Sequence, residues 1–159
     1  MENTFTVLYA EDNDSIRENY VGFLKTYFGK VYEANNGTKA LELYTNHRPD
    51  VLILDVNMPG INGLDLAKLI RKKDDTVKII MLTAYSDTDY LLQATELNLT
   101  KYLVKPIKTF ELEEIINTTI EKLSNKDTQT SFLKINQNIK WDKINHKLYK
   151  DDEDISLTK

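Results

Sequence analysis

Between Val51 and Gly60 the chain reads VLILDVNMPG, apolar at every position up to Asp55 and then punctuated by Pro59 and Gly60. Strict alternation would mark a strand with one wet face, whereas an unbroken apolar run marks one covered on both faces, as in the centre of a parallel sheet. The Pro-Gly pair ends that strand in a loop. Asp55 is therefore expected at a strand's carboxyl end, the edge of an open α/β sheet where ligands bind. A carboxylate carried there by a buried strand is a candidate reactive group.

Other segments repeat the pattern. Phe5 to Ala10 (FTVLYA) is a short apolar run closing on Glu11-Asp12, after which Asp14 or Ser15 can cap a helix through about Phe28, with Ile16, Tyr20, Phe23, Leu24 and Tyr27 on one face. Val31 to Ala34 reads as a second strand, Asn36-Gly37 as a turn, and Thr38 to Asn46 as a helix. After the strand ending at Asp55 come a helix from Gly63 to Lys72 and a strand from Val77 to Leu82. A helix opened by Asp87 or Thr88 then runs to about Leu97, followed by a strand from Lys101 to Val104. Lys105-Pro106 breaks that strand, and Thr109 caps a last helix that holds Leu112, Ile115, Ile116, Thr119 and Leu123.

Parallel strands need helical crossovers, so five strands alternating with five helices predict a doubly wound, flavodoxin-like α/β fold with a five-stranded parallel sheet. The first domain is expected over residues 1–123. Residues 124–131 (SNKDTQTS) are polar and without period, which reads as a linker, and residues 132–159 form short alternating pieces that predict a small antiparallel β meander.

Composition narrows the partners. With 41% hydrophobic and 29% charged residues the chain has globular values, and no run approaches the roughly 20 apolar residues of a membrane helix. There is no cysteine and no secretory leader, which excludes disulfides and thiolate metal sites and points to the cytoplasm. A net charge of -4 argues against broad, nonspecific affinity for nucleic acid. His47 and His146 stand apart from each other and from the acidic clusters, so both read as surface residues. The Asp151 to Asp154 run (DDED) reads as a solvated turn.

If the sheet is wound as predicted, its strand ends deliver Glu11 and Asp12, Asp55, Thr83 and Lys105 to one place. Each alone has a plain structural reading: a loop or helix cap for Asp55, the solvated start of a helix for Glu11-Asp12, a strand-end hydroxyl, an exposed cation. Their joint occurrence is what points to chemistry. Carboxylates a few ångströms apart repel by roughly 4 kcal/mol per pair at an effective dielectric near 20, so such a pocket takes up a proton or recruits a divalent cation. Mg²⁺ binds through one or two carboxylates together with phosphate oxygens. An ionised Asp55 is a competent nucleophile toward phosphorus, the Lys105 ammonium can spread charge on the transferring oxygens, and the Thr83 hydroxyl can donate to one of them.

From Thr6 to about Leu123 the chain resembles the receiver domain of two-component response regulators, in VLYAED, VLILDVNMPG, MLTA and YLVKP, in that order. The resemblance implies that Asp55 is the phosphoacceptor, charged by a sensor histidine kinase. It also implies that Asp12, Asp55 and the Asn57 backbone carbonyl bind Mg²⁺, with Glu11 assisting through water. Thr83 and Tyr102 would be a switch pair, with plain edge-strand packing as the lesser reading of Tyr102, and Lys105 would pair with the phosphate beside a cis bond to Pro106. Such a domain is a signalling module, not a turnover enzyme. A phosphatase-like hydrolase using Asp55 would need a second Asp two residues on, where Asn57 stands.

Residues 132–159 resemble the opening of a winged-helix effector domain of the OmpR/PhoB class, through Ile155-Ser156-Leu157-Thr158. They stop before a recognition helix, so the chain reads as a fragment of a longer transcription factor that would meet DNA only through its full effector. Receivers of that class pair acidic residues before the last strand's aromatic with an arginine in the last helix to form a dimer. This chain has Thr100-Lys101 and Glu111, Glu113 and Glu114 there instead. Ile107, Phe110 and the helix from Thr88 to Leu97 remain an apolar surface for a homodimer. A non-DNA output is the alternative.

Overall fold

The computed structural model describes the backbone of residues 4–84, 88–130, 132–134, 139–142, 147–150 and 153–155, and the side chains of residues 4–84 and 91–125. Its first compact unit spans Met1–Ile116 and its second Asn117–Lys159. Strands β1 (Thr6–Ala10), β2 (Lys30–Ala34), β3 (Val51–Asp55), β4 (Lys78–Thr83) and β5 (Lys101–Val104) of the first alternate with helices α1 (Asp14–Leu24), α2 (Gly37–His47), α3 (Gly63–Arg71), α4 (Thr88–Thr95) and α5 (Thr109–Thr130), the last of which runs on past Ile116. The sheet is parallel throughout, in the order β2-β1-β3-β4-β5. This is the doubly wound, flavodoxin-like fold.

Burial explains the order. All five residues of β3 are buried, because helices cover both faces of the central strands. Leu8, Ala10, Leu52, Leu54, Ile79 and Met81 join Leu64, Leu66, Ala67 and Ile70 of α3 in one apolar cluster. By alternation, Val7, Tyr9, Val51, Ile53, Ile80 and Leu82 point to the other face, where they are equally buried.

The helix ends correct two details. Neither Asp14 nor Ser15 caps α1. Asn13 does, its side-chain oxygen accepting from the Ile16 amide at 3.0 Å, and Asn36 and Asn62 cap α2 and α3 in the same way. At α5 it is the Lys108 carbonyl that accepts the first helical bond, from the Leu112 amide, so Thr109 lies inside the first turn. The helix expected to stop near Leu123 runs to Thr130, which makes residues 124–130 of the expected linker helical. That stretch lacks apolar periodicity, but it also lacks proline and glycine, so nothing in it interrupts the hydrogen-bond ladder. Asp87, Ser131, His146, Asp151-Asp152 and Ser156-Leu157-Thr158 lie outside the described residues, whereas His47 is exposed and its ring stacks on Tyr32 at 4.4 Å.

The second unit holds β6 (Phe132–Lys134), β7 (Ile139–Asp142), β8 (Lys147–Lys150) and β9 (Glu153–Ile155), each antiparallel to the next. Among the described residues no helix is long and apolar enough to cross a membrane.

One polar cluster fastens the end of α3. Asp74 accepts from the Thr76 and Val77 amides, the Thr76 hydroxyl and the Tyr44 hydroxyl at 2.8 to 3.0 Å. Burial alone would raise this carboxyl, yet those four donors hold it at about 2, below the ordinary 3.8. An Asp74→Ala variant is expected to lose about 2 kcal/mol of stability at neutral pH in urea unfolding. A depressed carboxyl contributes stability above its unfolded value and loses it as pH falls toward the folded one. After solvent screening that part is about 1 kcal/mol, so the gap between variant and wild type should narrow below pH of about 4.

Candidate functional site

Parallel register brings the strand ends together. Ala10 stands opposite Leu54, so Glu11 emerges beside Asp55. Asp55 stands opposite Leu82, which puts Thr83 one step on, and Thr83 stands opposite Val104, which puts Lys105 one step beyond that. The chain leaves β1 toward β2 and returns to its other side as β3, so the gap between Glu11 and Asp55 is the topological switch point of the sheet.

At that gap the carboxylates of Glu11, Asp12 and Asp55 present oxygens all within 4.8 Å of one another. Glu11 and Asp55 are buried, and Asp12 is exposed at the rim. The Lys105 ammonium reaches in to lie 2.9 Å from Asp55 Oδ2 and 3.4 Å from Glu11 Oε2. Asp55 Oδ1 accepts from the Asn57 amide at 3.1 Å, so both of its oxygens are oriented. The Lys105 amide donates to the Thr83 carbonyl at 2.6 Å, and the bond to Pro106 is cis.

Three carboxylates face one ammonium. Burial first, and then the neighbouring Asp55 carboxylate, push the Glu11 carboxyl up to about 7 against the pull of Lys105. Burial would lower the Lys105 ammonium, but the bond and charge of Asp55, with Glu11 adding, raise it above its usual value. The pocket therefore keeps its cation and carries excess negative charge. Every donor in it is an oxygen, which suits a hard divalent cation such as Mg²⁺ rather than one that prefers nitrogen or sulfur.

Thr83 is buried and shares its sheet face with Met81, the residue opposite Tyr102. The Tyr102 ring packs against the apolar cluster that holds Met81, and its hydroxyl is enclosed with no hydrogen-bond partner among the described residues. Leu91 and Leu92 on α4, Val104 on β5 and Phe110 on α5 are exposed.

Three contributors carry no motif of their own. Arg17 donates to the Glu11 carbonyl at 2.9 Å while paired with Asp14 and, at 3.6 Å, with Glu33, so it fixes the turn that presents the acids. The basic residue one turn into a helix that follows an acidic pair was the available signal. Gly63 lets the start of α3 lie directly on the backbone of Asp55, and its amide donates to the Val56 carbonyl at 3.0 Å. Tyr9, fully buried on β1, shares a face with Glu11; burial, the Glu11 charge, Tyr20 and the Asp55 charge hold its hydroxyl protonated far above the usual range, with Arg17 opposing.

Residues 7–117 match the family profile described as response regulator receiver domain. An uncharacterized response regulatory protein of Staphylococcus epidermidis is 33% identical over 130 residues, covering 80% of this chain and 51% of that protein. A probable transcriptional regulator, ycf27, of Guillardia theta is 37% identical over 163 residues, covering 99% of this chain and 63% of its own length. The chain thus spans between 51 and 63% of these curated relatives. Among solved structures, the REC domain of AraT, a response regulator from Geobacillus stearothermophilus, superposes with a TM-score of 0.70 at 35% identity, covering 78% of this chain and 98% of that one.

Proposed function

The chain belongs to the response regulator receiver domain family, and on that footing we propose that Asp55 accepts a phosphoryl group from a sensor histidine kinase and that the resulting charge resets the α4-β5-α5 face. The observation that carries this reading is the Lys105 ammonium 2.9 Å from Asp55 Oδ2 inside a pocket with two further carboxylates. A cation is held where phosphoryl oxygens would arrive, next to a carboxylate oriented by two donors.

In the transfer an Asp55 carboxylate oxygen attacks phosphorus as the bond to the donor's imidazole nitrogen breaks; the electron pair stays on that nitrogen, and the ring, protonated on its other nitrogen, leaves as neutral histidine beside an aspartyl phosphate. Asp12, Asp55 and the Asn57 carbonyl would hold Mg²⁺, with Glu11 acting through water, and the ion supplies neutralisation of the phosphoryl oxygens. Lys105 turns from the free carboxylate to the phosphoryl group, and the Thr83 hydroxyl donates to a second oxygen. The new group brings about -1.5 to -2 charges. Drawing Thr83 inward opens space for the Tyr102 ring, which alters the surface made by Leu91, Leu92, Val104 and Phe110. That surface is apolar and suits a second copy of the chain, with Glu111, Glu113 and Glu114 setting its charges.

The alignment with a probable transcriptional regulator along 99% of the chain supports a DNA-directed output. Residues 132–159 would open an effector of the OmpR/PhoB class, and DNA would be met through that effector alone.

The test is incubation with Mg²⁺ and acetyl phosphate, followed by intact-protein mass. Wild type is expected to gain a single phosphoryl group, dependent on Mg²⁺, and Asp55→Asn to gain none. No adduct on wild type overturns the reading, and sustained release of phosphate from simple esters would favour a hydrolase instead.

A further inference from the structure

Tyr9 spends a hydroxyl where phenylalanine would fill the same space. Its side chain is fully buried on the interior strand β1, its ring lies 5.6 Å from that of Tyr20 at 46°, and its hydroxyl has no hydrogen-bond partner among the described residues. An enclosed, unpaired hydroxyl is a cost in the state seen here. A residue that is costly in one state calls for a use in another.

The neighbours say which use. Tyr9 precedes Glu11 by two residues, and positions two apart on a strand share a face, so the ring lies beneath the acidic pocket. Other donors there are already engaged: Arg17 on the Glu11 carbonyl, Asp14 and Glu33, and the Asn57 amide on Asp55. The Glu11 carboxylate depends on Lys105 at 3.4 Å, the longer and weaker arm of that ammonium. When Asp55 carries a phosphoryl group, Lys105 is drawn to it, and the buried Glu11 carboxylate keeps only the water of the divalent cation as a partner. Leaving such a group short of a donor is expensive.

We propose that Tyr9 is a positioning residue of the acidic pocket, whose hydroxyl donates to the Glu11 carboxylate, directly or through one buried water, once Lys105 has turned to the phosphoryl group. The ring contact with Tyr20 restrains the ring on this face of the sheet. This rests on the phosphoacceptor reading above, and it assigns Tyr9 no contact with the phosphoryl group itself.

The experiment compares wild type with Tyr9→Phe using beryllofluoride and Mg²⁺ as an equilibrium mimic of the phosphorylated state, with affinity measured by calorimetry. Tyr9→Phe is expected to melt at the same temperature as wild type or higher without ligand, yet to bind beryllofluoride at least about tenfold more weakly, the worth of one hydrogen bond to a charged group. In a Glu11→Gln background the Tyr9→Phe effect should shrink. Equal beryllofluoride affinity for wild type and Tyr9→Phe overturns the proposal, as does a lower melting temperature of Tyr9→Phe without ligand, or an undiminished effect in Glu11→Gln. Failure of wild type to bind beryllofluoride strikes the phosphoacceptor reading instead.

Discussion

A Lys105→Ala variant is expected to take up phosphoryl from acetyl phosphate about 10² to 10³ times more slowly than wild type, while its affinity for Mg²⁺ does not fall. The size follows from what the ammonium does. It is the cation 2.9 Å from Asp55 Oδ2, in a pocket with three carboxylates, and among the described residues no other ammonium or guanidinium pairs with Asp55. Losing one preorganised donor of this kind typically costs about 2.7 to 4 kcal/mol in the transition state. The Mg²⁺ prediction has the opposite sign because Lys105 and a divalent cation compete for the same oxygens: removing a fixed positive charge leaves the three carboxylates at least as attractive to the ion.

Stability moves less than the rate. Breaking a fully buried ion pair costs about 3 to 5 kcal/mol, but the Lys105 side chain is 23% exposed, so water reaches the acids it leaves behind. A loss of about 1 to 2 kcal/mol is expected in urea unfolding at neutral pH. Rates within a factor of three of wild type, measured by the appearance of the adduct, would refute a charge-stabilising role for Lys105. Lys105→Arg keeps the charge but replaces a compact ammonium with a wide planar fork, and is expected to recover only part of the rate.

What the sequence made legible is the skeleton of this pocket. A short apolar run ending on Asp55 and closed by Pro-Gly reads as a strand buried on both faces, and once five short runs alternate with helices, a parallel sheet brings their carboxyl ends to one edge. That logic reaches Glu11, Asp12, Asp55 and Lys105 without coordinates. It fails where the decision rests on a single hydrogen bond. Asn13, Asp14 and Ser15 are all good caps, and the bond from the Ile16 amide goes to Asn13. The end of α5 is hidden for a related reason, since polarity without period signals solvent exposure, and an exposed helix without proline or glycine shows the same signal. Arg17, Gly63 and Tyr9 serve the pocket through a carbonyl, a missing side chain and a buried hydroxyl, none of which leaves a pattern along the chain.

Gly63→Ala is the second large effect, and it runs against helix propensity. Alanine in place of glycine within a helix normally adds about 0.5 to 1 kcal/mol of stability. Gly22, in α1, is such a position: a Cβ there meets nothing within 4 Å, and Gly22→Ala is expected to raise the melting temperature. At Gly63 the same atom would overlap the Asp55 carbonyl group and press on the Val56 Cα, and these are backbone atoms with no rotamer to yield. Either the start of α3 retreats, breaking the Gly63 amide bond to Val56 and loosening Leu64, Leu66 and Ala67 from the core, or the end of β3 moves and carries the Asp55 carboxylate away from Lys105. A net loss of about 3 kcal/mol is expected from forced overpacking in a closed core. Phosphoryl uptake should fall as well, because about 1 Å of displacement at a reacting group is enough to cost about 100-fold. If Gly63→Ala proves as stable as wild type and accepts phosphoryl at the same rate, then α3 does not rest on Asp55 as described, and the nucleophile owes its position to something other than that glycine.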